Sequence, residues 1–388
     1  MNPPVRVAHV ITGLLVGGAE MALSRLVEAL PGEEFSTLVI SLLAEGPLAR
    51  SLRDAGAQIV SLGLRRGIPS PGAIFQLRRA LLEFRPSLVQ GWMYHGNLAG
   101  WLGARFLPSG TPLAWNIRQS LYDIRRERSG TGFIIRAGAR LSRRPDAIVY
   151  NSTTARRQHE AIGYWGAKAV VIPNGFDLQR FQPSPEGRGA LRHELGLADS
   201  DLLVGLVGRY HPMKGHAVFL GAARRLLDRG VRATFLCAGR DVTMANGAIR
   251  RMVERSDLAD RVRLLGERDD MPRLFAGLDV ACVASSWGEG LPNVIGEAMA
   301  SGVPCVGTDI GDTRELIGST GRIVQPDDVE ALARGIAELL REGPDGRRRL
   351  GEAARARIAA AYSLAGCTSR YAALYRGLAD PLARSSAA

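Results

Sequence analysis

Lysine is nearly missing from this chain. Of its 50 basic residues only Lys168 and Lys214 are lysine, so each stands out from a background of arginine. Cysteine is scarce too. Three of the four, Cys237, Cys282 and Cys305, sit inside the apolar runs TFLCAG, VACVAS and VPCVG, and with Cys367 they form no close pair of metal-ligand spacing. That excludes a disulfide framework and a zinc module, and reads as buried thiols in a reducing compartment. No apolar run reaches the ~18–20 residues that span a membrane. The first one, VAHVITGLLVGGA, is short and broken by glycines, and reads as strand, turn and helix rather than a signal peptide. The expected location is therefore cytoplasmic. No D-x-D stands at a strand end, and neither G-x-G-x-x-G nor a Walker loop occurs, so a dinucleotide fingerprint and a P-loop nucleotidase are unsupported.

What is present is a chain of 388 residues, 46% hydrophobic and 23% charged, which suits two soluble domains. The formal charge of +12 is uneven. Residues 1–182 hold 22 basic and 12 acidic side chains, and residues 183–388 hold 28 and 26. A basic first half points to an anionic partner for that half.

The first half alternates strand and helix. VRVAHVI, FSTLVISLL, SLVQGWM, TPLAWNI and DAIVYNS read as buried strands of a parallel sheet. The segment 173–189, PNGFDLQRFQPSPEGRG, reads as a linker. A second series follows in DLLVGLVG, RATFLCAG, RVRLLG, LDVACVAS, VPCVG and GRIV, and residues 327–341 and 344–378 read as helices. The expected class is α/β, with two doubly wound domains facing each other and ligands at the strand carboxyl ends. The expected domains are 1–182 and 183–362, with 363–388 as a final helix and tail.

Three stretches carry candidate chemistry. TGLLVGGAE places Gly17 and Gly18 at a strand-to-helix turn, where either close packing or a ligand near backbone N–H groups explains them. GLVGRYHPMKGH puts Arg209 and Lys214 on a loop after a strand, a cationic pair fit for a diphosphate leaving group. SSWGEGLPNVIGEAMASGVP places Glu289 before a helix and Glu297 one turn inside it. Ionised carboxylates only accept, which suits hydroxyl donors, and the turn Gly290, Leu291, Pro292, Asn293 offers N–H groups at a helix start, with Asn293 as a candidate cap. Asp269 and Asp270 read as a helix cap rather than metal ligands.

Glu289 and Glu297, separated by seven residues, resemble the E-x7-E signature of the retaining glycosyltransferases of family four. VGRYHPMKGH resembles that family's Gly-Arg…Lys-Gly loop, GGAE its glycine loop, VIPNGFD its Asn-Gly motif, and LGERDDMPRLFAGLDV the stretch before the signature. The resemblance implies a GT-B fold, two Rossmann-like domains with an N-terminal acceptor domain, a C-terminal donor domain and a last helix crossing back. It implies that Arg209 and Lys214 neutralise the diphosphate of a nucleotide sugar, that Glu297 takes the ribose, and that Glu289 with the N–H groups of Gly290 to Asn293 holds the transferred sugar. The base would lie against backbone near Arg240 and Arg268. His95, in GWMYHGNLAG, matches a place where the family often carries a histidine that meets the donor sugar; a loop histidine near a cap is the plainer reading. Transfer would retain configuration without metal or cofactor, and family habit favours a UDP-sugar.

Arg118, in WNIRQS, is a candidate for an anionic acceptor. Residues 125–144 hold seven arginines, among them Arg125, Arg126 and Arg128, around Phe-Ile-Ile. They read either as a solvated face or as a contact with an anionic membrane or a lipid-linked acceptor. The partners expected are a nucleotide sugar, a glycan or lipid-linked acceptor of envelope polysaccharide synthesis, and the inner membrane face, with no nucleic acid. A transferase with a soluble acceptor, a nucleotide-sugar epimerase and a nonenzymatic two-domain binding protein are the competing readings.

Overall fold

The computed structural model describes residues 3–65, 70–126 and 129–380. The chain divides into two compact units, Met1–Gly175 with Leu364–Ala388, and Phe176–Ser363.

In the first unit seven parallel strands form one sheet. They are β1 (Val5–Ile11), β2 (Phe35–Ser41), β3 (Gln58–Ser61), β4 (Leu88–Trp92), β5 (Leu113–Ile117), β6 (Ala147–Tyr150) and β7 (Ala169–Val171), in the order β3-β2-β1-β4-β5-β6-β7. Their near-continuous apolar character follows from helices covering both faces. Along β1, Ala8 and Val10 face a core with Leu77, Leu81 and Trp115, and Val7 and Ile11 face one with Leu23, Trp92, Tyr371 and Tyr375. The two edge strands β3 and β7 did not stand out as apolar runs, because they are short and only partly buried.

The second unit repeats the plan with six parallel strands. These are β8 (Leu202–Val207), β9 (Ala233–Ala238), β10 (Val262–Leu264), β11 (Val280–Val283), β12 (Cys305–Thr308) and β13 (Arg322–Val324), ordered β10-β9-β8-β11-β12-β13. Cys237, Cys282 and Cys305 are buried free thiols in these strands, and burial pushes Cys237 up to about 12.

The break between units falls at Gly175, earlier than 182. Phe176 and Phe181 cause this, since both bury their rings in the second unit's core beside Leu291 and Ile295. The stretch 344–378 is two helices, Gly343–Ala361 and Leu364–Ala379. Tyr362 leaves the helical region at φ −133°, its ring buried in the second unit, while its carbonyl accepts from Phe176 N–H at 2.8 Å. The last helix belongs to the first unit, anchored by the buried Tyr371 and Tyr375.

Gly296, in the helix Asn293–Ala300, faces the Phe176 ring so closely that a Cβ would fall 2.0 Å from Cζ. Helix propensity alone would reward alanine there by ~1 kcal/mol. The clash of a methyl with a buried ring costs ~1–3 kcal/mol and decides the sign. Gly296→Ala is expected to lower the Tm by a few degrees; an unchanged or raised Tm would show that Phe176 is not packed there.

Candidate active site

Each sheet reverses its winding once, between β1 and β4 in the first unit and between β8 and β11 in the second. Connections leave in opposite directions at such a point and open a crevice at the strand carboxyl ends. In each unit some candidate residues lie on the segments that leave these strands: Gly17, Gly18 and His95 in the first, and Arg209, Lys214, Glu289 and Glu297 in the second.

In the second unit, Arg209 follows β8 on an exposed loop. The turn is tight because Gly239, at φ +149°, lies where a Cβ would meet the Gly208 carbonyl at 2.3 Å. His211 then caps a 3-10 helix, Pro212–Lys214, by accepting from Met213 N–H at 3.2 Å. Gly215, at φ +66°, permits the closest approach in the loop. A Cβ there would fall 1.9 Å from the Ala284 carbonyl oxygen, and Ser286 N–H donates to Met213 O at 2.9 Å. The loop after β8 is thereby clamped to the loop after β11.

That clamp brings together two residues 75 positions apart. Lys214 Nζ donates to Glu289 Oε1 at 2.5 Å, and Ser285 Oγ donates to the same oxygen at 2.8 Å. The side chains are only 20% and 11% exposed. Burial would raise the Glu289 carboxyl, but Lys214, Ser285 and the more distant Arg209 outweigh it and hold it below the usual carboxylate range. Ser285 was not singled out in the sequence; a serine beside another serine carries no signal of its own.

Glu297 is buried one turn inside the helix Asn293–Ala300. The cap of this helix is Pro292, not Asn293. Pro292 is extended at ψ 115° and makes no side-chain cap bond, and Asn293 is already helical. Proline fixes the entry angle and has no acceptor to offer the first N–H groups. The Gly290 carbonyl is held by Asp312 N–H at 2.8 Å, an approach that needs Gly311 at φ +61°.

Arg240 is exposed after β9, its carbonyl accepting from Tyr210 N–H at 2.8 Å. Arg268 is committed to carboxylates. It donates to Asp270 and to Glu194, at 2.7 Å and 2.6 Å, and Arg273 joins both. Asp270 occupies the cap position of the helix Met271–Gly277, yet its carboxylate makes no cap bond there. The arginines take it instead, and the hydrogen bond from Arg268 leads in holding it at about 2.

In the first unit, β4 passes directly into the helix Met93–Ala104 through Met93, a non-glycine at φ +59°. Such strain concentrates at functional sites. The turn leaves His95 exposed at the switch point, its imidazole lowered by desolvation from the surrounding protein. Gly17 caps the helix Gly18–Ala29 in an extended conformation open to any residue, so no tight turn demands it. Arg118 follows β5 and donates to the Tyr371 hydroxyl at 3.1 Å and to Asn174. Arg125 is exposed and paired with Asp123 at 3.0 Å. Arg126 ends the short 3-10 helix Ile124–Arg126, and Arg128 lies outside the described residues. Of Phe-Ile-Ile only Phe133 faces solvent strongly, at 69%; Ile135 is buried. A second face is both basic and apolar. On the helix Pro71–Phe84, Ile74, Phe75 and Leu82 are exposed among Arg78 and Arg79. Among the described residues no group of His, Cys, Asp and Glu is arranged to hold a metal ion, and no helix is long and apolar enough to cross a membrane.

The pairing of Lys214 with Glu289 has a pH signature. Removing one partner of a buried pair costs ~3–5 kcal/mol, and the partial exposure of Lys214 sets the expectation for Lys214→Met at the low end. Because Glu289 is depressed in the fold, the pair's contribution is present above the ordinary carboxylate value of ~4.3 and is lost as pH falls through the depressed one. The Tm gap between wild type and variant is expected to be widest at neutral pH and to close below about pH 4. A gap that stays constant over that range would mean that the pair does not set Glu289's ionisation.

The family model "Glycosyltransferase Family 4" matches residues 16–180, and "Glycosyl transferases group 1" matches residues 201–342. The lipopolysaccharide core biosynthesis mannosyltransferase LpsB of Rhizobium meliloti is 32% identical over 211 residues, 53% of this chain and 58% of that protein. The UDP-Gal:alpha-D-GlcNAc-diphosphoundecaprenol alpha-1,3-galactosyltransferase of Escherichia coli is 29% identical over 177 residues, 44% of this chain and 45% of that one. The matches thus span about half the length of these curated relatives. Among solved structures, Anabaena Alr3699/HepE in complex with UDP-glucose superposes with a TM-score of 0.82 at 22% identity, covering 96% of this chain and 99% of that one. WaaG, a glycosyltransferase involved in lipopolysaccharide biosynthesis, gives 0.73 at 15% identity, covering 96% and 100%. These likenesses establish the GT-B fold with its two Rossmann-like domains. With the two family models together matching residues 16–180 and 201–342, most of its length, the chain belongs to glycosyltransferase family four.

Proposed function

We propose that this protein is a retaining, metal-independent glycosyltransferase that moves a hexosyl group from a UDP-sugar to a glycan or lipid-linked acceptor in envelope polysaccharide synthesis. The observation that carries the reading is the Lys214–Glu289 pair, joined at 2.5 Å on the loops of the β8/β11 switch point. The pair offers a cation for a leaving diphosphate and a carboxylate for sugar hydroxyls within one contact. As the glycosidic bond to the diphosphate breaks, negative charge grows on the leaving oxygen. Lys214 and Arg209 stabilise it there, doing the work a divalent ion would otherwise do. Glu289 and the N–H groups from Gly290 to Asn293 hold the transferred sugar, and Glu297 takes the ribose hydroxyls. The base lies against backbone near Arg240 and Arg268. Arg268 acts there as scaffold, since its guanidinium is taken by Asp270 and Glu194.

In this reading the first unit binds the acceptor. His95 meets the donor sugar, and Gly17 and Gly18 leave room at a helix start. The exposed Phe75, Arg78 and Arg79, and Phe133 with the arginines of 125–144, serve contact with an anionic membrane surface at the cytoplasmic face. The relatives' names include a lipid-linked acceptor and a small-molecule one, the latter fitting the competing soluble reading. The galactosyltransferase above is named for a diphosphoundecaprenol-linked sugar, and a Mycobacterium bovis relative, 30% identical over 236 residues, for D-inositol 3-phosphate.

The central test is a thermal-shift panel of UDP, GDP, ADP and their sugar conjugates without metal. A ligand at 100 Kd adds ~2.7 kcal/mol. At ~2–4 °C per kcal/mol the shift is several degrees. UDP is expected to give the largest shift, to keep it in EDTA, and to lose most of it in Glu297→Ala. No shift with any nucleotide at millimolar concentration would sink the reading.

Membrane contact is tested by sedimentation with anionic vesicles. Binding is expected at low salt and release as salt rises, since screening weakens exposed charge contacts. Replacing Arg125, Arg126 and Arg128, or Arg78 and Arg79, by Gln identifies the face used. No sedimentation at ~50 mM salt, where the Debye length still exceeds ~10 Å, would favour a soluble acceptor.

A further inference from the structure

At the carboxyl end of β5 the first unit holds a guanidinium with no counter-charge. Arg118 Nη1 donates to the Tyr371 hydroxyl at 3.1 Å and Nη2 to Asn174 Oδ1 at 2.5 Å, and its Cζ lies 5.6 Å from the centre of the Trp92 ring. All three partners are neutral. Lys214, Arg192 and Arg268 are neutralised by carboxylates, Glu289, Asp279, and Asp270 with Glu194. Arg6, Lys168, Arg355 and Arg357, half-buried and without an ion pair among the described residues, donate to backbone carbonyls instead. Among the described residues Arg118 has no such ion pair.

The two oxygens that Arg118 uses are shared with other donors. The Tyr371 oxygen also takes Asn116 Nδ2 at 2.8 Å, and Asn174 Oδ1 also takes Asn151 Nδ2 at 3.3 Å. Asn116 Oδ1 and Asn151 Oδ1, in the same network, accept from no group, so neither takes a donor of the guanidinium. Arginine has five N–H donors in a planar fork, and the two bonds above leave Nε–H and one N–H on each terminal nitrogen. Arg118 is half-buried, so water compensates those donors only in part. A partly desolvated cation without a counter-charge costs stability, which a neutral residue at the same place would avoid. Its position gives the reason for keeping it. It stands at a strand carboxyl end beside the switch point, its backbone N–H directed to Met93 Sδ at 3.4 Å, two residues before His95.

We propose that Arg118 anchors an anionic oxygen group, phosphate or carboxylate, carried by the acceptor. The proposal rests on the glycosyl-transfer reading above and narrows its acceptor class to molecules charged close to the accepting hydroxyl. The fork offers two parallel N–H bonds to two oxygens of such a group, a geometry that ammonium lacks. Tyr371 and Asn174 hold one donor of each terminal nitrogen, and the Trp92 ring lies 5.6 Å from Cζ, so the remaining donors are held ready.

The test uses the full chain with UDP saturating, so that the diphosphate-binding loop of the second unit is filled. Pyrophosphate, methyl phosphate and glucuronate are titrated by thermal shift against potassium chloride of equal ionic strength. At least one anion is expected to raise the Tm above the chloride control, and the strongest names the group. Arg118→Gln is expected to weaken that apparent affinity about tenfold or more, as for loss of a charge-assisted hydrogen bond. Arg50→Gln, at an exposed arginine of the same unit, is expected to leave it unchanged. Arg118→Lys keeps the charge without the fork and is expected to fall between, which covers the case in which the Gln variant folds poorly. Equal anion responses in wild type and Arg118→Gln would overturn the proposal, as would equal losses in Arg118→Gln and Arg50→Gln. The UDP shift, measured first on each protein, reports separately on the donor reading.

Discussion

The constraint on which the rest depends is the reversal of strand order beside β8. β9 and β10 lie on one side of it and β11 to β13 on the other. The loops after β8 and β11 therefore rise side by side from neighbouring strands while their helices turn to opposite faces. Residues from 208–215 and 284–293 meet only because of that reversal. Glycine makes the meeting close. Gly215 lets one loop reach the Ala284 carbonyl, and any side chain there would force the loops apart and separate Lys214 from Glu289.

The site is an economy of few charges. Glu289 is buried enough that desolvation opposes its ionisation, and it stays ionised because Lys214 touches it. Lys214 in turn is screened by Glu289. A ligand bringing two negative charges must therefore share Lys214 with Glu289, with Arg209 supplying further positive charge from the exposed side. Lysine suits that position. Its compact head can pivot between two oxygens, whereas a planar fork would lock onto one.

Much of this was legible in the sequence, for physical reasons. Buried parallel strands are continuous apolar runs, so all six strands of the second unit and five of the first stood out. β3 and β7 did not, being short edges with partial burial. Lys214 was conspicuous because lysine is otherwise almost absent, and Glu289 because a helix dipole explains only one of the two glutamates. Contacts between distant segments were not legible. Nothing local marks Ser285 as Glu289's donor, Arg268 as a partner of Glu194, or Tyr371 as the residue that steadies Arg118. The cap at Pro292 was misplaced by one position, because asparagine is the better cap by chemistry while the chain direction is set by proline. The apolar face of Pro71–Phe84 stayed hidden because its exposed residues are interleaved with buried ones at helical spacing.

The last helix has a consequence for synthesis on the ribosome. Tyr371 and Tyr375 fill a core whose other walls, Val7, Ile11, Leu23 and Trp92, are made near the beginning of the chain. The whole of Phe176–Ser363 is translated in between. At ~5–20 residues per second the nascent first unit waits roughly 10–40 s for its missing wall. The second unit is one uninterrupted segment and can close as soon as it emerges. The half of the protein that starts first therefore finishes last, and in the interval Trp92 and its neighbours are the surface a chaperone would meet.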